Sequence, residues 1–229
     1  MTPKPSLSRA KPSPALPAST FNVTRSELRS RQTKPGARRA EPLTKRDQLV
    51  ETAWQLFYHE GYHATGIDRI LAKAGVAKMT LYKHFRSKEE LILAVLEKRS
   101  AQFQESFSRF LQAKKRTPER ELLAVFDWLI AWVERKDFRG CLFQKALAEY
   151  QEMADPIHQA AVAHKAAFHR EIRRLVTEAG LVKPRGLADQ LAVLAEGAIV
   201  NSQATGSSMP AGYAREAAQA LIKGAQQIR

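Results

Sequence analysis

Residues 65–90 read TGIDRILAKAGVAKMTLYKHFRSKEE, and this stretch decides the fold. Two short helical patterns meet at Gly75, and a third, much longer one opens at Ser87. A tight helix-to-helix corner favours a residue that tolerates positive φ, which Gly75 supplies. From Arg69 to Lys88 the cations are Arg69, Lys73, Lys78, Lys83, Arg86 and Lys88, with no acid among them. A compact helix-turn-helix lined with cations is built to place one helix in the major groove of DNA. Double-stranded DNA is the expected partner.

Capping signals frame the stretch on both sides. Thr44, with Asp47 three residues on, opens a first helix whose apolar face is Leu49, Ala53, Leu56 and Phe57, and Gly61 ends it. Thr65 reads as the cap of the second helix, with Asp68 at the box position and Ile67, Ile70, Leu71 and Ala74 facing inward. A third helix is expected over about residues 78–85, locked onto the Ile67/Ile70 face by Leu81 and Phe85. That leaves Lys78, Met79, Thr80, Tyr82, Lys83 and His84 on its outer and leading surfaces. Thr65 also fits a phosphate contact, because a helix N-terminus offers N–H groups and a favourable dipole. Ser87 and Glu90 make the next box, opening a long helix with Ile92, Leu96, Phe103, Phe107 and Phe110 as apolar positions.

Helical signals continue to the end of the chain. Thr117-Pro118 starts a helix facing inward with Leu122, Val125, Phe126, Leu129, Trp132 and Val133. Gly140 breaks the pattern, a short helix follows around 142–150, and Asp155-Pro156 opens another that ends near Gly180. Two more are expected over about 184–205 and 210–228. No alternating strand pattern stands out, so the chain reads as all-α.

Bulk properties narrow the class. The chain has 229 residues, enough for one or two domains, and no apolar run approaches the ~18 residues of a membrane span. Cys141 is the only cysteine, so an intramolecular disulfide is impossible and a reducing cytoplasm is the expected compartment. Residues 1–43 hold seven of the eleven prolines and nine cations against two acids, half of the formal charge of +14. With few large apolar residues, this arm reads as disordered. It either adds sequence-independent phosphate contacts, or is a dispensable tail or an over-long assigned start.

The 44–90 stretch resembles the DNA-binding domain of TetR-type (tetracycline-repressor-like) transcriptional regulators. The resemblance is carried by Ala53, Leu56, Phe57, Gly61 and Tyr62, then Thr65, Ile67, Ile70 and Ala74-Gly75-Val76. Thr80-Leu81-Tyr82, His84-Phe85 and Ser87-Lys88-Glu89-Glu90-Leu91 complete it. The run from Phe138 to Phe143, with Ala146 and Glu149, is similar to a segment of one group of these regulators. The resemblance implies a three-helix N-terminal helix-turn-helix domain over 44–90 and a larger helical ligand-binding and dimerisation domain over 91–229. It implies that the start of the third helix reads base edges while Tyr82 and Lys88 hold phosphates. Two positions depart from the pattern: Met79 stands where a small residue is frequent, and Ala77 where a Ser often caps. Met79 is either an exposed side chain that merely packs on the backbone or a contact with a thymine methyl in the major groove.

The same resemblance implies a homodimer through the last two helices, matched to a palindromic operator, and a pocket for a small-molecule effector between the long helices. Those two helices are rich in small residues, among them Ala192, Ala195, Gly197, Ala198, Ala214 and Ala218. Candidate pocket residues are Phe107, Trp128, Trp132, Phe143, Tyr150 and Phe168, although aromatic residues at helical spacing are more often core. Polar residues on apolar stripes say more, because an unpaired buried polar group is costly. His164 falls among Ile157, Ala161, Phe168, Ile172 and Leu175, and Glu196 lies between Val193 and Val200. His164 is either a satisfied core or interface histidine or a ligand contact, while Glu149 and Glu196 suit a cationic lipophile. Cys141, near Arg139 and Lys145, is either a redox-sensitive thiol or a buried apolar residue.

Enzymatic readings have little support. The sequence holds no Gly-x-Ser-x-Gly elbow, Walker loop, Gly-x-Gly-x-x-Gly or His-Glu-x-x-His. His59 and His63 are separated by a turn at Gly61, and no carboxylate completes a metal site, so no metal or cofactor is expected. The expectation is a ligand-responsive regulator, a repressor released by a lipophilic small molecule. The competing class is a sequence-tolerant architectural DNA binder that relies on the basic arm.

Overall fold

The computed structural model describes residues 43–113, 116–181 and 184–226, and the basic arm expected over 1–43 lies, apart from Leu43, outside them. Among the described residues the chain is helical throughout, with no strand. The helices are α1 (Lys45–Glu60), α2 (Ile67–Ala74), α3 (Lys78–His84), α4 (Lys88–Gln112), α5 (Pro118–Val133), α6 (Leu142–Glu149), α7 (Pro156–Glu178), α8 (Pro184–Thr205) and α9 (Met209–Gln226). α1, α2 and α3 pack on one another, and α4 runs from that cluster into the larger bundle, where it meets α5 and α7. α8 and α9 form the most extensive pair, and α9 also packs on α5.

Local chemistry accounts for most boundaries. Thr44 Oγ1 accepts the Asp47 N–H at 3.1 Å, and Ser87 Oγ accepts that of Glu90 at 3.3 Å. Glu90 accepts the N–H of Arg86, the residue before the cap, at 2.6 Å, in place of the N–H of Ser87 that a capping box would use. Thr117 and Asp155 cap α5 and α7, each followed by Pro at the first helical position. Gly75 takes the left-handed conformation at φ +63° between α2 and α3, as the corner demands. α3 starts at Ala77 with no side-chain cap.

Thr65 departs from its expected role as a cap. It is fully buried, and its hydroxyl donates to the Gly61 carbonyl at 2.7 Å while its N–H donates to Tyr62. The residue that precedes α2 is Gly66, which makes no side-chain cap bond. A threonine four residues after a helix-ending glycine closes the turn onto that helix, so its hydroxyl is consumed before α2 begins. The side chain is therefore withdrawn from any phosphate, and only the backbone N–H groups at the start of α2 keep that expectation alive.

One continuous core runs through both parts of the molecule, and α4 belongs to both. Leu49, Ala53, Phe57, Ile70, Leu81, Phe85 and Leu91 are buried in the small N-terminal cluster, which confirms Leu81 and Phe85 as anchors. In the larger bundle Trp128 is fully buried, with Phe103 and Phe107 edge-on to it at 5.0 and 5.4 Å between ring centroids. No helix among the described residues is long and apolar enough to cross a membrane.

Candidate functional site

The outer face of α3 is assembled by its buried inner face. With Leu81 and Phe85 turned into the core, Met79 is left 80% exposed and Tyr82 45% exposed, with Lys78 and Lys83 exposed beside them. Thr80 and His84 are half-buried on the flanks. Exposure of Met79 agrees with both readings, an exposed side chain resting on the backbone and a contact with a thymine methyl. Lys88, in the first turn of α4, is half-buried, and burial holds its ammonium below the ordinary lysine range. Arg69, on α2, is held by Glu60 through two bonds of 2.6 Å, so its charge is locally matched. The cations on α3 carry no acid on their own helix.

A second feature lies in the larger bundle: a cavity of about 80 Å³. Trp132, Phe143, His164, Phe168 and Glu196 of the expected set line it. Four expected residues do not. Trp128 is sealed in the core by its ring neighbours, and Phe107 lies behind Phe103 and Phe168 on a separate groove. Tyr150 packs its ring on Tyr62 and His63 at the junction with α1, at 5.9 and 4.8 Å. Glu149 sits at the same junction, where its carboxylate accepts the N–H groups of Tyr62 at 2.9 Å and His63 at 2.6 Å. Helical periodicity could assign these four to an inward face but not to one neighbour rather than another.

The cavity has walls that the sequence did not nominate. Trp54 and Tyr58 reach it from α1, Arg99 and Phe103 from α4, and Lys165 from α7. Trp54 lies outside the apolar face expected for α1 (Leu49, Ala53, Leu56 and Phe57), and nothing in one helix reveals which side faces the larger bundle. Arg99 lies 3.1 Å from the centroid of the Trp54 ring and bonds Glu51 of α1 at 3.0 Å and Gln102 at 2.6 Å. Burial brings its guanidinium down to about 10, which leaves it cationic at neutral pH. The Tyr58 hydroxyl accepts the Arg139 N–H at 2.8 Å, and burial raises its phenol to about 12.

His164 joins α7 to α4 at the cavity wall. Its Nδ1 is 3.0 Å from Ser100 Oγ, and its ring stacks on Phe143 at 3.5 Å with a 7° tilt. Burial, reinforced by Lys165, lowers its pKa to about 4, so it is neutral at pH 7. It is both a satisfied histidine and a cavity residue. Glu196 is held by Lys165 at 3.1 Å and His169 at 3.0 Å, and Arg135 pairs with Asp137 through two bonds of 2.9 Å. The cavity therefore offers aromatic walls and matched charges, and neither Glu149 nor Glu196 presents a spare carboxylate to a cation. Cys141 is buried at its edge, and burial raises its thiol, the reverse of a reactive thiolate. No group of three or more His, Cys, Asp or Glu that could hold a metal occurs among the described residues.

α8 and α9 also show an outward apolar face. Val193, Val200, Met209 and Tyr213 are 69%, 49%, 60% and 61% exposed. Gly197, Gly212 and Gly224 have nothing within 4 Å of where a Cβ would stand.

Comparison with known proteins places these features. Residues 49–95 match the family described as bacterial regulatory proteins, tetR family, and residues 118–218 match the tetracyclin repressor-like C-terminal domain. A TetR-family transcriptional regulator from Streptomyces coelicolor superposes with a TM-score of 0.75 at 29% identity, covering 79% of this chain and 95% of that one. A 66-residue stretch is 48% identical to the HTH-type transcriptional activator FasR of Mycolicibacterium smegmatis, 28% of this chain and 30% of that protein. Over 112 residues the chain is 31% identical to the HTH-type transcriptional repressor DhaR of a Mycobacterium species, 49% of this chain and 55% of that protein. The matches thus span 30% and 55% of these two relatives' lengths. From its N-terminal helix-turn-helix through its C-terminal helical domain, the chain belongs to the tetR family of bacterial regulatory proteins.

Proposed function

We propose that this protein is a ligand-responsive transcriptional regulator that binds a palindromic operator as a homodimer and is released by a small effector. In this reading Lys78, Met79 and Thr80 read base edges, Lys83 and His84 flank them, and Tyr82 and Lys88 hold phosphates. The dimer forms through the outward apolar face of α8 and α9, whose open glycines let a second pair of helices approach closely.

The observation that carries the effector reading is that the cavity is walled on one side by α1 of the DNA-binding unit. Trp54 and Tyr58 share it with Trp132, Phe143 and Phe168. At about 80 Å³ it holds only a few water-sized volumes. A larger guest must displace a wall, and α1 is one of the walls. Entry therefore alters the placement of α3 through the helix that packs on it. The effector prefers the displaced arrangement, and that preference is the coupling free energy which weakens operator binding. Aromatic walls with matched charges suit a compact, mostly apolar effector with one polar end. Repression is favoured because one unfilled arrangement then serves as the DNA-binding state.

Selection of bound sequences from a random DNA library, followed by titration at physiological salt, tests the reading. A regulator shows a two-fold symmetric site bound about 10³-fold or more tighter than random DNA. Equal affinity for both would favour an architectural binder.

A further inference from the structure

A groove outside the central cavity has a different chemistry. It measures about 850 Å³ and runs where the last turn of α1 meets the α5–α6 loop, α6 and the α8–α9 turn. Among the described residues its walls carry four cations, Arg135, Lys136, Arg139 and Lys145, against one acid, Glu134. Arg135 is matched by Asp137. The Arg139 guanidinium instead donates to the carbonyl oxygens of Phe138 at 2.7 Å and Lys136 at 3.4 Å, and the Lys145 ammonium donates to that of Tyr58 at 2.5 Å. A carbonyl satisfies a donor but does not cancel its charge. Glu149 is the carboxylate that acts on Lys145, and it is already engaged by two backbone N–H groups.

Two further observations point to a guest. His59, on the α1 side, has its pKa held below the ordinary histidine value by burial and then by Arg139, Lys145 and Lys73, with Asp137 opposing. After burial, the neighbouring cations add to the cost of protonating His59. Ser202, on the α8 side, is 1% exposed, and its hydroxyl has no hydrogen-bond partner among the described residues. A buried hydroxyl left unpaired calls for an explanation, and a guest in the groove it lines is one.

We propose that this groove is a second small-molecule site, one that takes an oxyanion, the phosphate or carboxylate group of a small polar metabolite. Lys136, Arg139 and Lys145 supply the charge and Ser202 a hydrogen-bond donor. The bound anion bridges α1 to the C-terminal helices and so favours the domain arrangement seen here. Its effect on DNA affinity rests on the regulator reading, whereas its binding does not.

The test uses the full chain with inorganic phosphate as the probe, ionic strength being held constant with chloride. Calorimetry should show saturable binding, and the His59 imidazole pKa, followed by NMR, should rise by roughly half a unit or more as phosphate fills the site. The double change Lys136→Gln with Arg139→Gln should weaken binding about tenfold or more with an unchanged thermal midpoint. Ser202→Ala should weaken it about threefold. Parallel titrations with acetate separate a carboxylate preference from a phosphate preference. Binding that does not saturate, a His59 pKa that does not move, or equal binding by the double variant overturns the proposal. So does a double variant that loses affinity for random DNA in the same proportion as for phosphate, since the groove would then be a DNA-backbone contact.

Discussion

Arg99 of α4 lies 3.1 Å from the centroid of the Trp54 ring of α1 and bonds Glu51 one turn earlier at 3.0 Å. One buried cation thus clamps the first helix of the N-terminal unit to the helix that leads into the larger C-terminal bundle, and it does so at the cavity wall. Lys98 adds a second, more exposed contact to Glu51 at 3.3 Å.

Arg99→Met should therefore keep the side-chain volume and lose the clamp. Leaving Glu51 without its buried partner and removing the desolvated cation–π contact should cost about 2–3 kcal/mol in urea unfolding. Operator affinity should become less sensitive to effector, because α1 then follows the cavity less faithfully. A variant with wild-type stability would show that the clamp is solvated in solution.

Glu149→Gln tests the other tie between the domains. The neutral amide can accept only one of the two N–H groups of Tyr62 and His63, so roughly 1–2 kcal/mol of charge-assisted bonding is lost. Hydrogen exchange at those two amides should quicken, while exchange deep in the α5–α7 bundle should not.

The pH dependence of stability has a predictable sign at His164. Its folded pKa, about 4, lies below the unfolded value of about 6.5. Above pH 6.5 both states are neutral and the group costs nothing. As pH falls from 6.5 to 4 the unfolded chain takes up a proton that the folded chain refuses, so stability drops, by about 3 kcal/mol in all, and levels off below pH 4. His164→Phe keeps a flat ring against Phe143 and should remove most of this loss, read as the difference in unfolding free energy between pH 7 and pH 4.5.

On the DNA face, Tyr82→Ala should weaken binding to every sequence alike, by about 1 kcal/mol. Met79→Ala and Lys78→Ala should instead change which base is preferred at one position of each half-site. Titration of the three variants against a panel of single-base operator changes separates the two patterns, and uniform losses for all three would end this division of roles.

Val193→Glu with Val200→Glu places two like charges on the outward face of α8. Both side chains are exposed within one chain, so the fold should survive with an unchanged helical circular dichroism spectrum. Sedimentation should then show a monomer in place of the dimer, and operator affinity should fall by about 10²-fold or more as the two half-sites are no longer bound together.

Much of the fold was legible in the chain because its signals are local. Thr44, Gly61, Gly75, Ser87, Thr117-Pro118 and Asp155-Pro156 each act through bonds to residues within a few positions, so sequence spacing reports them. The exposed edge of α3 followed from Leu81 and Phe85 alone, since on a helix the buried positions define the opposite face. Thr65 misled because a hydroxyl can close the turn behind it as readily as cap the helix ahead, and the two choices look the same in one dimension. What only the tertiary structure decided is which inward-facing side chains share a space. Periodicity places Trp54, Trp128, Tyr150 and Glu149 on buried or half-buried faces, yet the contacts that make Trp54 a cavity wall, Trp128 sealed core and Glu149 a tie between domains span some 25 to 87 positions of chain. Such contacts are set by how helices dock, and docking depends on the packing of every helix at once rather than on any local sequence pattern.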